Sequence, residues 1–296
     1  MKLLESKYLR LVRPKAWICF LFPLAAGFGL GVASGVALIR IVSVFASFVF
    51  SCCFVFTLNA LADVDVDRFH DGRSKDMNLS KQPLLTGELT TKQCSLLSVL
   101  FMVASLLFGL LVNSLCFALV LAVNIIGFIY SMRPTRLKAR PLGDIVCNAV
   151  AGMLFFAAGL NIANIIVDPV LMLGAFLLAS VFYIPTMVTD YEFDKRAELK
   201  TTVVLLGPRK TLRVMYPLAA LTILVMLIIF VNYDLRYKIL AAMVIPYTAA
   251  SAFVANFKLK GEKLDVSAGW ILYPFALMSF AFISYGLLKA FGIHWL

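Results

Sequence analysis

Long stretches without a charged side chain dominate this chain of 296 residues, and short clusters of charge separate them. A membrane-spanning helix needs about 20 consecutive, mainly apolar residues, and eight uncharged runs approach or exceed that length. These runs are 16–39, 41–62, 93–132, 145–167, 169–189, 214–233, 239–257 and 266–288. Run 93–132 is twice as long as one span and is broken by the polar pair Asn113 and Ser114, so we interpret it as two helices. The pattern therefore predicts nine membrane-spanning helices.

The composition supports an integral membrane protein. Hydrophobic residues make up 62% of the chain and charged residues 15%, whereas a soluble domain carries about a quarter charged residues. The mean hydropathy is +0.94. Strands of a membrane barrel alternate apolar and polar residues over about 10 positions, which these continuous runs do not. We therefore predict an all-α integral membrane protein that forms one transmembrane domain over residues 1–296.

The distribution of charge predicts the orientation of the chain. Of the 27 basic residues, 23 lie in the N-terminal segment and the loops after the second, fourth, sixth and eighth spans. Cytoplasmic segments are enriched in Lys and Arg. We therefore predict a multi-pass cell-membrane protein with a cytoplasmic N-terminus and an external C-terminus. The same face holds 14 of the 16 acidic residues, which the positive-inside rule does not require.

Two acidic motifs stand at matching places in the predicted topology. Asn59, Asp63 and Asp67 follow one another at intervals of four residues at the end of the second span, and Asp190 and Asp194 do so at the end of the sixth. Asp63 and Asp190 are 127 residues apart, as are Asp67 and Asp194. This correspondence predicts an internal repeat of four helices, with approximate halves 1–140 and 141–296 and a ninth helix outside it.

The spacing of these acids predicts a metal site. Residues four apart lie on one face of a helix with Cβ atoms about 5–6 Å apart, so each motif holds two repelling carboxylates side by side. Carboxylate oxygens suit Mg²⁺, which usually binds one or two carboxylates together with water and phosphate oxygens of a substrate. We therefore predict Asp63, Asp67, Asp190 and Asp194 as Mg²⁺ ligands around a diphosphate. Asn59, one helical turn before Asp63, is predicted either to bind Mg²⁺ as well or to orient that acid.

Basic residues of three loops are candidate ligands for that diphosphate, because Lys and Arg bind phosphoryl oxygens. The loops supply Arg68, Arg73, Lys75 and Lys81; Arg133, Arg136, Lys138 and Arg140; and Lys195, Arg196 and Lys200. The basic residues are divided among short loops around apolar spans, which argues against nucleic-acid binding despite the net charge of +11. The six cysteines form no C-x-x-C pair, and two distant histidines do not indicate a metal site.

These motifs resemble those of the UbiA family of intramembrane prenyltransferases. Asn59, Asp63 and Asp67 match its N-x-x-x-D-x-x-x-D motif, and Asp190 with Asp194 matches its second D-x-x-x-D motif. Tyr130, with Leu137 and Lys138 after it, is similar to a family segment that follows the fourth helix. The segments that begin at Lys81 and Lys200 also resemble family segments. Val64 stands where the family often has Arg, and Glu198 where Gly is common.

The resemblance implies a helical bundle around a central cavity that opens to the cytoplasm and to lipid. It implies Mg²⁺-dependent transfer of an isoprenyl group from an allylic diphosphate to an aromatic or other lipophilic acceptor, with release of pyrophosphate. The catalytic residues it implies are Asp63, Asp67, Asp190, Asp194 and Tyr130. The diphosphate ligands it favours are Lys81 and Lys138, together with Arg68, Arg133 and Lys200.

Other function classes stay open on the sequence alone. A transporter for a cation or an organic anion would also have internal repeats and acids at helix ends, but here no charge interrupts a span. A lipid head-group transferase also uses clustered acids and a divalent metal. A noncatalytic scaffold would not need four carboxylates in matching register.

Overall fold

The structure is a computed structural model that describes residues 6–67, 81–165, 167–260, 263–264 and 269–293. Within these residues the chain is almost entirely helical. The helices are α1 (Lys7–Val12), α2 (Ile18–Gly31), α3 (Leu38–Ala62), α4 (Val64–Asp67), α5 (Thr91–Val112), α6 (Ser114–Ser131), α7 (Gly143–Leu160), α8 (Pro169–Arg196), α9 (Thr202–Leu206), α10 (Pro208–Asn232), α11 (Leu235–Lys258) and α12 (Gly269–Ala290). Two short antiparallel strands, β1 (Leu259–Lys260) and β2 (Lys263–Leu264), connect α11 to α12.

The prediction of an all-helical membrane bundle is confirmed. Eight of the described helical segments are long and apolar enough to cross a membrane. The helix α12 overlaps the last apolar run, which is the predicted ninth span, and packs against α2, but the count of nine spans stays a prediction. The division of run 93–132 is also confirmed, because Asn113 separates α5 from α6. Its backbone is extended, and its side chain accepts a hydrogen bond of 2.7 Å from the N–H of Cys116.

Two helix ends differ from the predicted runs. The first apolar run was expected to reach residue 39, but α2 ends at Gly31, where Val32 adopts an extended backbone and Gly35 turns at φ +77°. The run that predicts the sixth span ends at residue 189, but α8 continues to Arg196. Lys195 and Arg196 in its last turn favour this extension, because cations stabilise the negative end of a helix. Asp190 and Asp194 therefore lie within a regular helix.

The packing of the two halves supports the predicted repeat. In the first half α3 contacts α5 and α6, and α5 contacts α6. In the second half α8 makes the corresponding contacts with α10 and α11, and α10 contacts α11. The first helices of the two halves, α2 and α7, pack on each other at the centre. The second helix of each half thus carries an acidic motif at an equivalent end.

Glycines allow α2 and α7 to approach closely. A Cβ atom on Gly27 would lie 2.1 Å from the carbonyl oxygen of Phe156, and one on Gly31 would lie 2.1 Å from that of Leu160. On the other helix, a Cβ on Gly159 would lie 2.3 Å from the carbonyl oxygen of Leu24. Small residues at such crossings let membrane helices pack backbone to backbone.

We expect Gly27→Ala to lower the free energy of unfolding by about 1–3 kcal/mol, the usual cost of overpacking. Thermal unfolding in detergent measures the effect. The matched control is Gly109→Ala on α5, whose Cβ would lie 3.3 Å from its nearest neighbour, the Cα of Phe117. Equal melting temperatures for the two variants would show that the α2–α7 contact does not limit stability.

Candidate active site

One cavity of about 800 Å³ lies inside the bundle, and both acidic motifs line it. Its walls come from α2, α3, α6, α7 and α8 at the carboxylate end, and from α8, α10, α11 and α12 farther away. The expectation of a central cavity is thus met. Tyr273 of α12 lines the cavity and is 73% exposed, so the cavity reaches the outer surface of the bundle beside α12.

The side chains of the first acidic motif stay on one helical face, although the helix is interrupted at Asp63 between α3 and α4. The helix α3 ends at Ala62, and Asp63 forms its C-cap. The N–H of Asp63 nevertheless donates to the carbonyl of Asn59 at 3.0 Å, and the N–H of Asp67 donates to that of Asp63 at 2.8 Å. Because these are helical i to i+4 bonds, the three side chains stay aligned, and all three line the cavity.

The second acidic motif lies on α8 across the cavity. Asp190 is exposed to the cavity, and Asp194 accepts a hydrogen bond of 3.0 Å from the hydroxyl of Thr201. Asp190 interacts electrostatically with Asp67, and Asp194 does so with Asp63. The two motifs therefore face each other within the range of electrostatic interaction, as the repeat predicted.

The two motifs do not converge on a single point. Within the described part of the chain, no group of three or more His, Cys, Asp or Glu side chains is close enough to hold one metal ion. Each motif instead offers a pair of carboxylates, and the first adds an amide oxygen from Asn59. Such hard oxygen donors fit Mg²⁺, which completes its coordination with water and substrate phosphate. The geometry is thus that of two half-sites that a bound anion would bridge.

Basic side chains contact the carboxylates of the first motif. Lys138 donates to both Asp63 and Asn59 and lines the cavity. A guanidinium nitrogen of Arg136 lies 3.0 Å from the second carboxylate oxygen of Asp63. Arg13 approaches Asp67 at 3.2 Å and also lines the cavity. The site therefore combines carboxylates with three cations at the same wall.

Burial shifts the pKa values of two ionisable side chains at this wall of the cavity. It raises the pKa of Asp67 to about 6, and the neighbouring Arg13 offsets the shift only in part, while Asp63 adds to it. Burial lowers the pKa of Lys138, against the opposing attraction of Asp63. Both shifts show that the ionised groups here lack water and depend on each other.

The other predicted diphosphate ligands are placed differently. Lys81, Arg133 and Lys200 are exposed and lie outside the set of cavity-lining side chains. The structure therefore does not bring them to the acidic motifs. Arg68 lies outside the described residues. Their assignment as diphosphate ligands stays a prediction.

Two tyrosines mark the boundary between the polar and apolar parts of the cavity. Tyr130, at the end of α6, and Tyr183, on α8, both line the cavity, and their hydroxyl oxygens are 3.0 Å apart. Tyr130 was predicted from its segment, whereas Tyr183 was not. Tyr183 precedes Asp190 by seven residues, which is two helical turns, so it shares a face with the second acidic motif.

Beyond the tyrosines the cavity is apolar and rich in aromatic rings. Phe182 packs edge to face on Phe275 with ring centroids 4.7 Å apart. The aromatic side chains that line this part include Phe20, Phe22, Phe155, Phe156, Phe182 and Phe275. Such a region can hold a hydrocarbon chain and exclude water from the carboxylate end.

A buried network holds the segment next to Asp194. Asp144, at the start of α7, is 2% exposed and accepts hydrogen bonds from the N–H and hydroxyl of Thr202 at 2.9 and 2.6 Å. Thr202 directly follows Thr201, whose hydroxyl binds Asp194. The sequence did not single out Asp144, because its partner lies 58 residues away. This network fixes the chain segment that orients the second motif.

The chain is similar in sequence and in fold to solved structures of UbiA homologs. The chain is 45% identical to a UbiA homolog from Archaeoglobus fulgidus whose structure was solved bound to DMAPP and Mg²⁺, with a TM-score of 0.93 over 98% of this chain and 100% of that one. The structure of a UbiA homolog from the same organism bound to GPP and Mg²⁺ is 44% identical, with a TM-score of 0.91 over 96% and 99% of the two chains.

A more distant relative is the digeranylgeranylglyceryl phosphate synthase of Methanococcus aeolicus. It is 25% identical over 193 residues, which is 65% of this chain. The match spans 64% of the length of that relative. The model of the UbiA prenyltransferase family matches residues 20–268, which cover both acidic motifs. The chain therefore belongs to the UbiA prenyltransferase family.

Proposed function

We propose that this protein is a membrane-embedded, Mg²⁺-dependent prenyltransferase. It would move an isoprenyl group from an allylic diphosphate to an aromatic or other lipophilic acceptor, with release of pyrophosphate. The observation that carries the proposal is that both acidic motifs line one cavity whose remaining walls are apolar and aromatic. The Archaeoglobus fulgidus homologs bound to DMAPP or GPP with Mg²⁺ support the same reaction class.

The two acidic motifs would hold the metal. Asn59, Asp63 and Asp67 would supply oxygen ligands from one wall, and Asp190 with Asp194 from the other. Bound Mg²⁺ would neutralise diphosphate charge and stabilise the departing pyrophosphate. The separation of the motifs into two half-sites favours a diphosphate that bridges them.

The basic side chains at this wall would hold the diphosphate. Lys138 and Arg13 line the cavity beside Asp63 and Asp67, so each can donate hydrogen bonds to a phosphoryl oxygen while its positive charge balances the carboxylates. Arg136 would keep Asp63 oriented. Donors fixed in a water-poor site stabilise developing charge far better than donors in water.

The apolar walls would control the reactive carbon. When the C–O bond of the allylic diphosphate breaks, its electron pair leaves with pyrophosphate and the prenyl carbon becomes cationic. Faces of the neighbouring aromatic rings can stabilise that cation, and their packing keeps water away. The acceptor then forms a bond to the same carbon and loses a proton. Tyr130, paired with Tyr183 at the boundary, would orient the diphosphate relative to this carbon.

We propose that the whole chain, residues 1–296, forms one membrane domain and that the acceptor enters its cavity from the lipid bilayer. The exposed position of Tyr273 at the cavity wall supports access beside α12.

The bias of basic residues supports a cytoplasmic N-terminus and carboxylate end, with the C-terminus outside. Reporter fusions to either terminus test this orientation, and activity of both reporters in one compartment would contradict it.

The experiment is a screen for pyrophosphate release in nanodiscs, with a series of prenyl diphosphates and candidate aromatic and lipid acceptors, and with products identified by mass. We expect acceptor-dependent release that needs Mg²⁺. A cation flux through proteoliposomes in the absence of any diphosphate would instead support the transporter class.

A further inference from the structure

A second cavity, separate from the central one, lies between α10 and α11 at the end of the bundle that carries the acidic motifs. It has a volume of about 260 Å³ and is lined by Arg209, Arg213, Asn256 and Leu259. None of these four residues lines the central cavity. Arg209 and Arg213 lie one turn apart at the start of α10, and Asn256 lies in the last turn of α11. The two helix ends therefore bring three polar side chains to one place.

The positive charge of this cavity lacks a counter-charge among the described residues. Neither Arg209 nor Arg213 forms an ion pair with a carboxylate in that part of the chain. The first turn of α10 contains no acidic residue, although the positive end of a helix favours an anion there. Arginine is also the side chain that binds phosphoryl oxygens through two parallel N–H donors. The cavity therefore has the charge and the donors of a phosphate site.

Orientation in the membrane explains the number of basic residues at this end of the bundle but not their convergence. The positive-inside rule counts Lys and Arg in a loop wherever their side chains lie. Lys210 stands beside Arg209 in the sequence and serves that rule equally well, yet it is exposed and does not line the cavity. The two arginines differ from it by sharing a cavity with a polar amide.

The amide of Asn256 offers a ligand only an acceptor. Its Nδ2 donates to the carbonyl oxygen of Leu212 at 3.3 Å and to that of Ala252 at 2.9 Å, which uses both amide hydrogens. Its Oδ1 accepts hydrogen bonds but cannot donate them. An ionised phosphodiester carries no donor, so this oxygen suits a hydroxyl group attached next to the phosphate. An ammonium group would be repelled by the two guanidinium groups.

Exposed aromatic rings adjoin the polar cavity. Phe253 and Phe257 of α11 are 65% and 79% exposed, and their rings stack with centroids 6.3 Å apart. Phe253 precedes Asn256 by three residues, and Phe257 follows it directly. Exposed rings on a membrane-spanning helix are stable against lipid chains and not against water. A ligand that joins a phosphate to hydrocarbon chains would therefore occupy the cavity and contact these rings together.

We propose that this cavity binds the head group of an anionic phospholipid whose phosphate carries a hydroxyl-bearing group such as glycerol. Arg209 and Arg213 would bind the phosphoryl oxygens, Asn256 would accept a hydrogen bond from the hydroxyl, and the lipid chains would lie along Phe253 and Phe257. At about 30 Å³ per water molecule, the cavity has room for roughly nine water-sized groups, which matches a glycerol phosphate head group. This lipid site is separate from prenyl transfer and does not rest on the proposed function.

The test measures binding of single lipids to the purified full chain in a neutral detergent by native mass spectrometry. The probes are phosphatidylglycerol, phosphatidylmethanol, which lacks the hydroxyl, phosphatidylcholine and soluble glycerol 3-phosphate. We expect phosphatidylglycerol to bind at least about tenfold more tightly than phosphatidylcholine, since each basic residue near an anionic lipid contributes about fivefold. It should bind about threefold more tightly than phosphatidylmethanol, the scale of one hydrogen bond. Glycerol 3-phosphate should bind at least about tenfold more weakly than phosphatidylglycerol, because it lacks the chains.

Arg209→Gln and Arg213→Gln should each weaken phosphatidylglycerol binding at least about fivefold. Lys210→Gln is the matched control, because it removes the same charge from a neighbouring position outside the cavity; binding should stay within about twofold of the wild type, as for surface substitutions. Melting temperatures without added lipid show whether each variant is folded. Should a Gln variant fail to fold, Arg213→Lys decides, because it keeps the charge but loses the paired donors and should bind more weakly than the wild type.

Three results would overturn the inference. One is equal weakening by Lys210→Gln and by the two Arg variants, which would show diffuse attraction to positive charge. Another is binding of phosphatidylcholine as tight as that of phosphatidylglycerol. The third is glycerol 3-phosphate binding as tightly as the lipid, which would assign the cavity to a soluble phosphorylated compound. Pyrophosphate release tests the proposed function separately, so all three results would leave that proposal standing.

Discussion

Asp190→Asn is expected to lower the rate of pyrophosphate release at least about a hundredfold, and Asp63→Asn is expected to do the same. Each change keeps the shape of the side chain but removes one carboxylate from a half-site. Loss of a single preorganised group that stabilises transition-state charge commonly costs 10²–10³ in kcat. Turnover in nanodiscs at saturating Mg²⁺ measures the effect.

The chain offers matched controls for both changes. Glu192 lies between Asp190 and Asp194 on α8, and Asp65 lies between Asp63 and Asp67, yet neither side chain lines the cavity. Glu192→Gln and Asp65→Asn should therefore keep turnover within about threefold of the wild type, as substitutions away from a site generally do. If the control variants lost as much turnover as the cavity variants, the rate would depend on the total negative charge of these segments and not on the carboxylates that line the cavity.

Lys138→Met is expected to lower kcat/KM for the prenyl diphosphate about a hundredfold. Methionine has a similar length but lacks the charge that contacts Asp63 and Asn59 at the cavity wall. On the proposed role of Lys138, the change removes a donor to the diphosphate from a water-poor site, where one such donor is worth roughly 10²–10³. Steady-state kinetics over a range of donor concentrations measure it.

The control for this prediction is Lys200→Met. Lys200 was predicted as a diphosphate ligand from the resemblance of its segment, but it is exposed and outside the cavity lining. The geometry predicts a change of about threefold or less for this variant, in the range of surface substitutions. An effect as large as that of Lys138→Met would uphold the assignment from the sequence and contradict the one from the geometry.

The acids were predictable because their signal is local. Spacing of four residues places Asp63 with Asp67, and Asp190 with Asp194, on one helical face whether the surrounding fold is known or not. The shared interval of 127 residues added the pairing of the two motifs. The apolar runs predicted most helices for the same reason, since a membrane span needs a minimum number of consecutive residues without charge, and such a run is visible in the sequence.

The cations were harder to predict, because their signal is tertiary. Arg13 meets Asp67 across 54 residues, and Arg136 meets Asp63 across 73. Arg136 was one of eleven basic loop residues considered, and nothing in the spacing distinguished it. Arg13 belonged to a segment explained by topology alone. Both residues adopt a positive φ, 50° and 38°, which no sequence periodicity predicts.

The depth of the cavity could not be predicted from the sequence either. Small residues such as Ala175 and Ala179 are ordinary in membrane helices, so their composition indicates nothing about empty space. Only the packing of α8 against the helices around it leaves a volume beside them.

The most direct test of a shared Mg²⁺ and diphosphate site is calorimetric binding of an unreactive prenyl thiodiphosphate with and without Mg²⁺. We predict that the wild type and Glu192→Gln bind the analogue only with Mg²⁺, and that Asp63→Asn and Asp190→Asn each weaken binding at least about tenfold, as loss of groups around a metal does. Binding that survives removal of Mg²⁺, or that is as tight in both Asp variants as in the wild type, would contradict a site formed jointly by the two acidic motifs.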